Sequence, residues 1–229
     1  MAKILTTAIV ADIRNKLNGS VFSKNRYGAY VRTKVTPVNP QTTAQQAQRN
    51  KLSTNSQAWR GLTEGQRQGW IAAASSFPAT DIFGNPKVLS GNALYVKLNN
   101  NLHTLGLPSI SDAPAPVAIP ALSLTNLQAI SGTNSVSLTF DPAAIPADFS
   151  MVIEATPQMG AGISFVKNRY RQLVVKPAAT TSPVDISDEY VIANGALTLG
   201  QKVFMRAFLV SNITGQAGIP VSISAVVTD

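Results

Sequence analysis

The sequence contains no cysteine and a single histidine among its 229 residues. Without thiols the chain has no disulfides, no thiolate metal ligands and no cysteine nucleophile. Hydrolytic and group-transfer enzymes usually depend on histidine, cysteine or paired carboxylates, whereas the 11 acidic residues here are scattered through predicted loops. We therefore expect a protein that is not an enzyme and that binds no cofactor.

Two weak candidates for metal ligands remain. His103 follows three consecutive asparagines on a predicted helix, and we expect it to be a residue of the polar face, because a metal site needs several converging donors. Asp185, Asp188 and Glu189 form a small acidic group that could bind calcium, but their spacing matches no calcium-loop motif, and a solvated loop is the favoured interpretation. We predict no metal site.

Long apolar runs are also missing. The N-terminal apolar stretch is broken by Asp12 and Arg14, and nowhere does the chain reach the eighteen or so consecutive apolar residues that a membrane-spanning helix requires. A small-residue cleavage site typical of a signal peptide does not follow cleanly. We expect a soluble chain.

Acidic residues are scarce in one part of the chain. Residues 1–60 contain ten Lys/Arg and one acid, whereas residues 111–229 contain six Lys/Arg and eight acids. The formal net charge of +8 therefore belongs to the N-terminal part, and the chain as a whole is not expected to bind polyanions.

The N-terminal excess charge lies in a stretch where basic and aromatic residues alternate before Pro37 and Pro40. Proline interrupts strand pairing, and the stretch therefore predicts an extended arm that needs an outside surface to cover it. The candidate partner-binding residues are Arg26, Tyr27, Tyr30, Arg32 and Lys34 of the arm, with Trp59 and Trp70 of the helices that follow.

Two kinds of partner fit such an arm. Its cations and tyrosines could neutralise phosphates and stack on bases, in which case binding would weaken steeply with salt. Arg and Tyr are also the residue types enriched in protein interfaces. We favour a protein partner, because Gly28 and the two prolines define a backbone path that a nonspecific nucleic-acid tail does not need.

Beyond the arm the pattern predicts about three helices and then short strands. Thr43 with Gln46, and Thr63 with Gln66, have the spacing of capping boxes, and a leucine stripe marks a third helix from Ser90 to about Leu105. A proline-rich linker covers residues 107–120. Residues 121–229 contain six or seven β-rich runs separated by turn residues, which is typical of an antiparallel β-sandwich.

Two resemblances add to this prediction. Residues 197–227, LTLGQKVFMRAFLVSNITGQAGIPVSISAVV, resemble the last two strands of a fibronectin type III domain, or more generally of an immunoglobulin-like domain. Phe204 stands where those domains commonly have a tyrosine, so the resemblance implies that the usual hydroxyl-to-backbone bond is missing. Residues 15–75, with SKNRYGAYVRTKVTPVNPQTTAQQAQRNKL and AWRGLTEGQRQGW, resemble an arm-and-helix region of structural proteins from tailed bacteriophages and prophages.

Together these patterns predict an α+β protein with a basic arm and helical assembly region (1–106), a linker (107–120) and an immunoglobulin-like sandwich (121–229). The phage resemblance implies a structural part of a virion, in the capsid, neck or tail, that is made in the host cytoplasm. Its partners would be other virion proteins and copies of itself, without a membrane. The alternative is a nucleic-acid-binding accessory protein that uses the basic aromatic arm.

Overall fold

The computed structural model describes residues 2–3, 13–26, 28–80 and 85–229. Contacts between residues divide the chain into two units, Met1–Gln46 and Ala47–Asp229. The described elements are a mixture of helices and antiparallel sheets, and the α+β class is therefore confirmed.

The first unit is a small antiparallel sheet with the strand order β1-β4-β3-β2. Asn18 and Gly19 form the turn between β2 and β3, with Asn18 at a φ of 48°, and a second tight turn separates β3 from β4. Its strands are β1 Ala2–Lys3, β2 Asn15–Leu17, β3 Ser20–Asn25 and β4 Gly28–Thr33. The arm is thus a hairpin-based sheet, followed by an irregular segment at 34–42.

The three predicted helices are all present. They are α1 Thr43–Gly61, α2 Glu64–Ala73 and α3 Gly91–Thr104, with a 3₁₀ turn at Ala74–Ser76 and two short paired strands, β5 Ala79–Thr80 and β6 Pro86–Lys87, between α2 and α3. Thr63 and Gln66 form the predicted capping box. At the start of α1 the cap is one residue earlier than predicted, because the Thr42 hydroxyl accepts the backbone N–H of Gln45 at 3.3 Å.

The helices share a core centred on aromatic side chains. Tyr95 of α3 packs against the edge of Trp70 of α2, with ring centroids 5.2 Å apart, and against Trp59 of α1 at 5.4 Å. The buried members of this cluster are Leu62, Trp70, Ala74, Phe77, Leu94, Tyr95 and Leu98. Aromatic pairs of this geometry contribute energy beyond their buried area, and they fix the three helices to each other.

The C-terminal part is a sandwich of two antiparallel sheets. One sheet has the order β12-β8-β7, and in the other β13 pairs with β9, β10 and β14 while β9 also pairs with β11. The strands are β7 Ser123–Ile130, β8 Ser135–Asp141, β9 Phe149–Ala155, β10 Met159–Gly160, β11 Arg171–Lys176, β12 Val184–Asp185, β13 Gln201–Ser211 and β14 Val221–Val226. A short helix, α4 Ser187–Asn194, lies between β12 and β13.

Side chains of both sheets meet in one core. Alternate residues of β8, such as Val136, Leu138 and Phe140, are buried with Met151 of β9 and Met205 of β13. This two-sheet arrangement with short connections is consistent with an immunoglobulin-like fold.

The proline-rich segment 107–120 contacts both the helices and the sandwich. The indole Nε1–H of Trp70 donates to the Ser111 carbonyl oxygen at 2.8 Å, and the buried Asn99 accepts the backbone N–H of Ile110 at 2.7 Å. Further along, the backbone N–H of Val117 donates to Gln216 in the β13–β14 loop at 3.0 Å. The division into a helical region, a linker and a sandwich stays a prediction, and these bonds show that the linker is fixed along its length.

Candidate functional site

The arm sheet has two chemically different faces. Residues paired across neighbouring antiparallel strands point to the same side of a sheet. Val21 is paired with Arg32 and with Lys16, and Ser23 is paired with Tyr30, so these five residues share one face, which we call the basic face. Two of the three cations in β2–β4, Lys16 and Arg32, therefore lie on the same side as the tyrosine.

The opposite face is mixed. Its apolar residues are Phe22, which is paired with Val31, and Leu17 and Ala29, and its polar residues are Asn15, Ser20, Lys24 and Thr33. None of the described residues from 13 to 46 is buried. A sheet of this size gains stability by covering one apolar face, and the side chains in the middle of this sheet, at residues 20–23 and 28–31, are only half-buried.

A cavity of ≈ 320 Å³ lies beside the basic face. Its walls are Lys16, Val21, Arg32, Lys34, Val35, Thr36 and Pro37. Three of these side chains are cations, and residues 13–46 contain six Lys/Arg and no acid. The positive potential of this concave surface favours a carboxylate or phosphate group as its occupant.

The structure brings together some of the predicted arm residues and separates others. Tyr30 and Arg32 lie on the basic face and Lys34 lines the cavity, joined by Lys16, which the sequence interpretation missed. Arg26 lies at the β3–β4 turn, four residues before Tyr30 in sequence and at the opposite end of the strands from Lys34. Tyr27 lies outside the described residues.

The two predicted tryptophans differ in their environment. Trp59 is half-buried against Tyr95 and keeps one edge toward solvent. Trp70 is fully buried, and its indole N–H donates a hydrogen bond to the Ser111 carbonyl. In this structure Trp70 is a core residue that is not accessible to a partner, because its whole side chain packs within the chain.

The single histidine belongs to a polar contact between helices. His103 Nε2 lies 3.0 Å from Asn55 Oδ1, and the Asn55 amide donates to Asn100 Oδ1 at 2.7 Å. Asn55 is fully buried, so these bonds satisfy a polar group that would otherwise be costly to bury. The contact joins α1 to α3. No acidic side chain or nucleophile takes part in the bonds described for it.

The acidic group at 185–189 lies at the start of α4 and is not a plain solvated loop. The Ser187 hydroxyl and its backbone N–H both donate to the Asp185 carboxylate, and these bonds lower the pKa of Asp185. Burial is the largest single influence on Glu189 and raises its pKa, but the hydrogen bonds to its carboxylate and the positive charge of Lys176 together outweigh burial, so the net shift of the pKa is downward. Among the described residues, no group of three or more His, Asp or Glu side chains is placed to hold a metal ion.

One basic segment of the sandwich was not recognised from the sequence. Residues 165–170, FVKNRY, repeat residues 22–27, FSKNRY, at five of six positions. Both copies lead into a strand, β4 in the arm and β11 in the sandwich. A comparison of the chain with itself would have found this repeat.

Comparisons with known proteins give little. No family model and no curated protein matches the sequence. Among solved structures, the chain is similar to an Fn3-like protein from Clostridium thermocellum, at 17% identity and a TM-score of 0.28, over 47% of this chain and 92% of that one. So low a score supports no conclusion about this chain. Among the helices that the structure describes, none combines the length and hydropathy of a membrane crossing.

Proposed function

We propose that this protein is a non-enzymatic structural component of a phage virion, made in the host cytoplasm and attached through its basic arm. The observation that carries the proposal is the arm sheet, in which none of the described residues from 13 to 46 is buried. A hairpin sheet whose described side chains are at most half-buried is marginal in water and gains stability from a surface that covers it.

The two faces of the arm favour a protein as that surface. The face with Phe22 and Val31 offers apolar side chains that a protein partner can cover, and a phosphate backbone has no apolar groups to match them. The basic face with Tyr30 and Arg32 suits carboxylates at the rim of the same contact. Neighbouring virion subunits, including other copies of this chain, can supply both.

The rest of the chain suits a protein that presents a binding or spacer domain on the particle. The sheets at 123–226 are consistent with the finer proposal that residues 121–229 form an immunoglobulin-like domain of the fibronectin type III kind, placed outward by the helices. Such domains are usually binding or spacer modules. The resemblance of residues 15–75 to tailed-phage structural proteins supplies the expected setting, in the capsid, neck or tail.

The test is incorporation into particles assembled from the genome that encodes the chain. Replacing Tyr30 and Arg32 together by alanine should cost about 2–4 kcal/mol of association if either residue is an interface anchor, and should lower the copy number in purified particles. The matched control is Lys87→Ala/Val88→Ala, which removes one cation and one large side chain at exposed positions of the helical region. Normal incorporation of the arm variant would contradict the proposal.

A second function, nucleic-acid-binding accessory protein, is favoured by the cavity with its three cations, Lys16, Arg32 and Lys34. Such a protein should bind DNA or RNA with micromolar affinity or better at physiological salt, and the affinity should fall by orders of magnitude as salt rises. Fluorescence anisotropy with duplex and single-stranded oligonucleotides measures this. A steep salt dependence that is lost in Arg32→Ala/Lys34→Ala would make this the better proposal.

A further inference from the structure

Three connections meet at one end of the sandwich, which we call the distal end: the turn at 131–134, the loop at 156–170 and the segment 186–200 that contains α4. The Gln158 amide donates to the Ala196 carbonyl at 2.7 Å and its carbonyl accepts the N–H of Thr198 at 2.7 Å. The N–H of Leu197 donates to Asn134 at 2.8 Å. These bonds join the three connections to one another at Asn134, Gln158 and residues 196–198.

One part of the distal end is basic and aromatic. Phe165 is 77% exposed, and Lys167 and Arg169 are exposed side chains with no hydrogen bond or ion pair to the described part of the chain. This loop belongs to the repeat noted above, and it places an exposed phenylalanine beside two cations; Phe and Arg are residue types enriched in protein interfaces.

The backbone under these side chains is fixed. The N–H of Arg169 donates to the Val166 carbonyl at 2.9 Å, and the Arg171 guanidinium donates to the Tyr170 carbonyl at 3.0 Å. Val166 is buried with Phe204, and the Arg206 guanidinium lies 4.5 Å from the centre of the Tyr170 ring. A loop held in this way loses little conformational entropy on binding.

The other part of the distal end is acidic and apolar. Asp188 and Ile192 of α4 are four residues apart and share a helix face, and Ile192 is 86% exposed. The Tyr190 hydroxyl, which donates to the Thr156 carbonyl at 3.0 Å, and the ion pair between Glu189 and Lys176 fix α4 in place. Asp188 itself makes no ion pair within the described residues.

We propose that two copies of the chain associate end to end, with the loop Phe165–Lys167–Arg169 of one copy on the Asp188–Ile192 face of the other. A two-fold axis makes an interface isologous, so a surface that carries both halves of a complementary pair forms each contact twice. The distal end carries a basic half with an exposed aromatic ring and an acidic half with an exposed isoleucine. A polyanion fits this surface poorly, because Asp185 and Asp188 would repel phosphates.

Charge reversal with mixing tests the contact. Sedimentation equilibrium of the full chain should show a dimer, and Lys167→Glu/Arg169→Glu and Asp188→Lys should each raise the dimer dissociation constant by about tenfold or more. An equimolar mixture of the two variants should recover the dimer, because the acidic loop of the first variant then faces the basic helix of the second, and the unchanged loop faces the unchanged Asp188. Thermal melts confirm that both variants are folded.

The control is Lys87→Glu/Lys97→Glu, which changes the net charge as much as the loop variant does, at two exposed lysines of the helical region. It should leave the dimer unchanged. A wild-type chain that stays monomeric, or a mixture that fails to recover the dimer, overturns the proposal. An oligomer that survives both reversals but is lost in Tyr30→Ala/Arg32→Ala would assign self-association to the arm instead, and would also overturn it.

Discussion

Gly215 in the β13–β14 loop is the residue at which the sandwich meets the helices. Its φ is +71°, and a Cβ at this position would overlap the carbonyl oxygen of Leu98 and lie 3.1 Å from Cγ of Leu102. Its carbonyl oxygen accepts a hydrogen bond from the Asn101 amide at 2.7 Å. The close approach of α3 to the loop therefore depends on the absence of a side chain here.

We expect Gly215→Ala to destabilise the protein more than Gly200→Ala does. Gly200 has a similar φ of +77°, but an added Cβ there would have nothing within 4 Å. Its substitution should therefore lower the free energy of unfolding only because alanine is strained in a left-handed conformation, by roughly 1–2 kcal/mol. The overlap at Gly215 should add about 1–3 kcal/mol, as overpacking does elsewhere. Chemical denaturation of both variants measures the difference, and equal losses would show that the loop moves aside.

The hydrogen bonds of Asp185 predict how the stability of the protein changes at acid pH. The hydrogen bonds from Ser187 hold its pKa below the ordinary value of 3.8. A carboxylate with a lowered folded-state pKa contributes stability above its unfolded pKa and loses it as the pH falls through the folded pKa. Asp185→Asn should therefore lower the melting temperature at pH 7. Between about pH 4 and pH 2 the melting temperature of the variant should then fall less than that of the wild type.

Asp148→Asn is the matched control for Asp185→Asn, since Asp148 is an exposed carboxylate of the same sandwich. Melting curves at neutral and acid pH compare the two variants with the wild type. If Asp185→Asn and the wild type lose the same stability on acidification, the bonds to Ser187 do not contribute to folding.

At the scale of elements, periodicity in the sequence was a good guide wherever it was strong. The β-rich runs SVSLTF, which alternates strictly, and KVFMRAFLV matched β8 and β13 to within one residue at each end, and the leucine stripe predicted α3. α4 was missed because its eight residues have little amphipathic pattern and its acidic start is typical of a loop. The helix is held by tertiary bonds of Tyr190 and Glu189, which no local pattern reveals.

The sequence predicted which segment holds the candidate site, but it did not predict which of its side chains lie together. Charge counting singled out the arm, but the register between β3 and β4 decides that Tyr30 and Arg32 share a face with Lys16. Likewise, Trp59 and Trp70 both sit on helices, and only the packing around Tyr95 decides that Trp70 is buried. A tyrosine hydroxyl bond to the backbone does occur elsewhere in the sandwich, from Tyr190 of α4 to the Thr156 carbonyl, and no sequence pattern indicated it.

The arm as an element yields a prediction about stability. Because none of its described residues is buried, deleting residues 1–40 should shift the melting temperature of the remaining chain by no more than about 2 °C. The deletion keeps Gln41 and Thr42, which bond to the first turn of α1. Differential scanning calorimetry tests this, and a much larger drop would mean that the arm supports the rest of the fold.

At the scale of the whole molecule, the sandwich is expected to fold by itself and to be stabilised by the helices. It has its own core of buried side chains from both sheets, which is what an independent domain requires. The helices add the bond between Asn101 and Gly215, and segment 107–120 adds the bond between Val117 and Gln216. The two contributions can be separated by comparing a fragment with a point variant.

A fragment of residues 118–229 should melt cooperatively, but at a lower temperature than the full chain, because it lacks Asn101 and the leucines that pack on the β13–β14 loop. In the full chain, Asn101→Ala should cost about 1 kcal/mol, the usual contribution of one hydrogen bond, and should reproduce only part of that difference. Circular dichroism during heating measures both. A fragment as stable as the full chain would show that the helical contact adds nothing, and a fragment without a cooperative transition would show that the sandwich depends on the helices to fold.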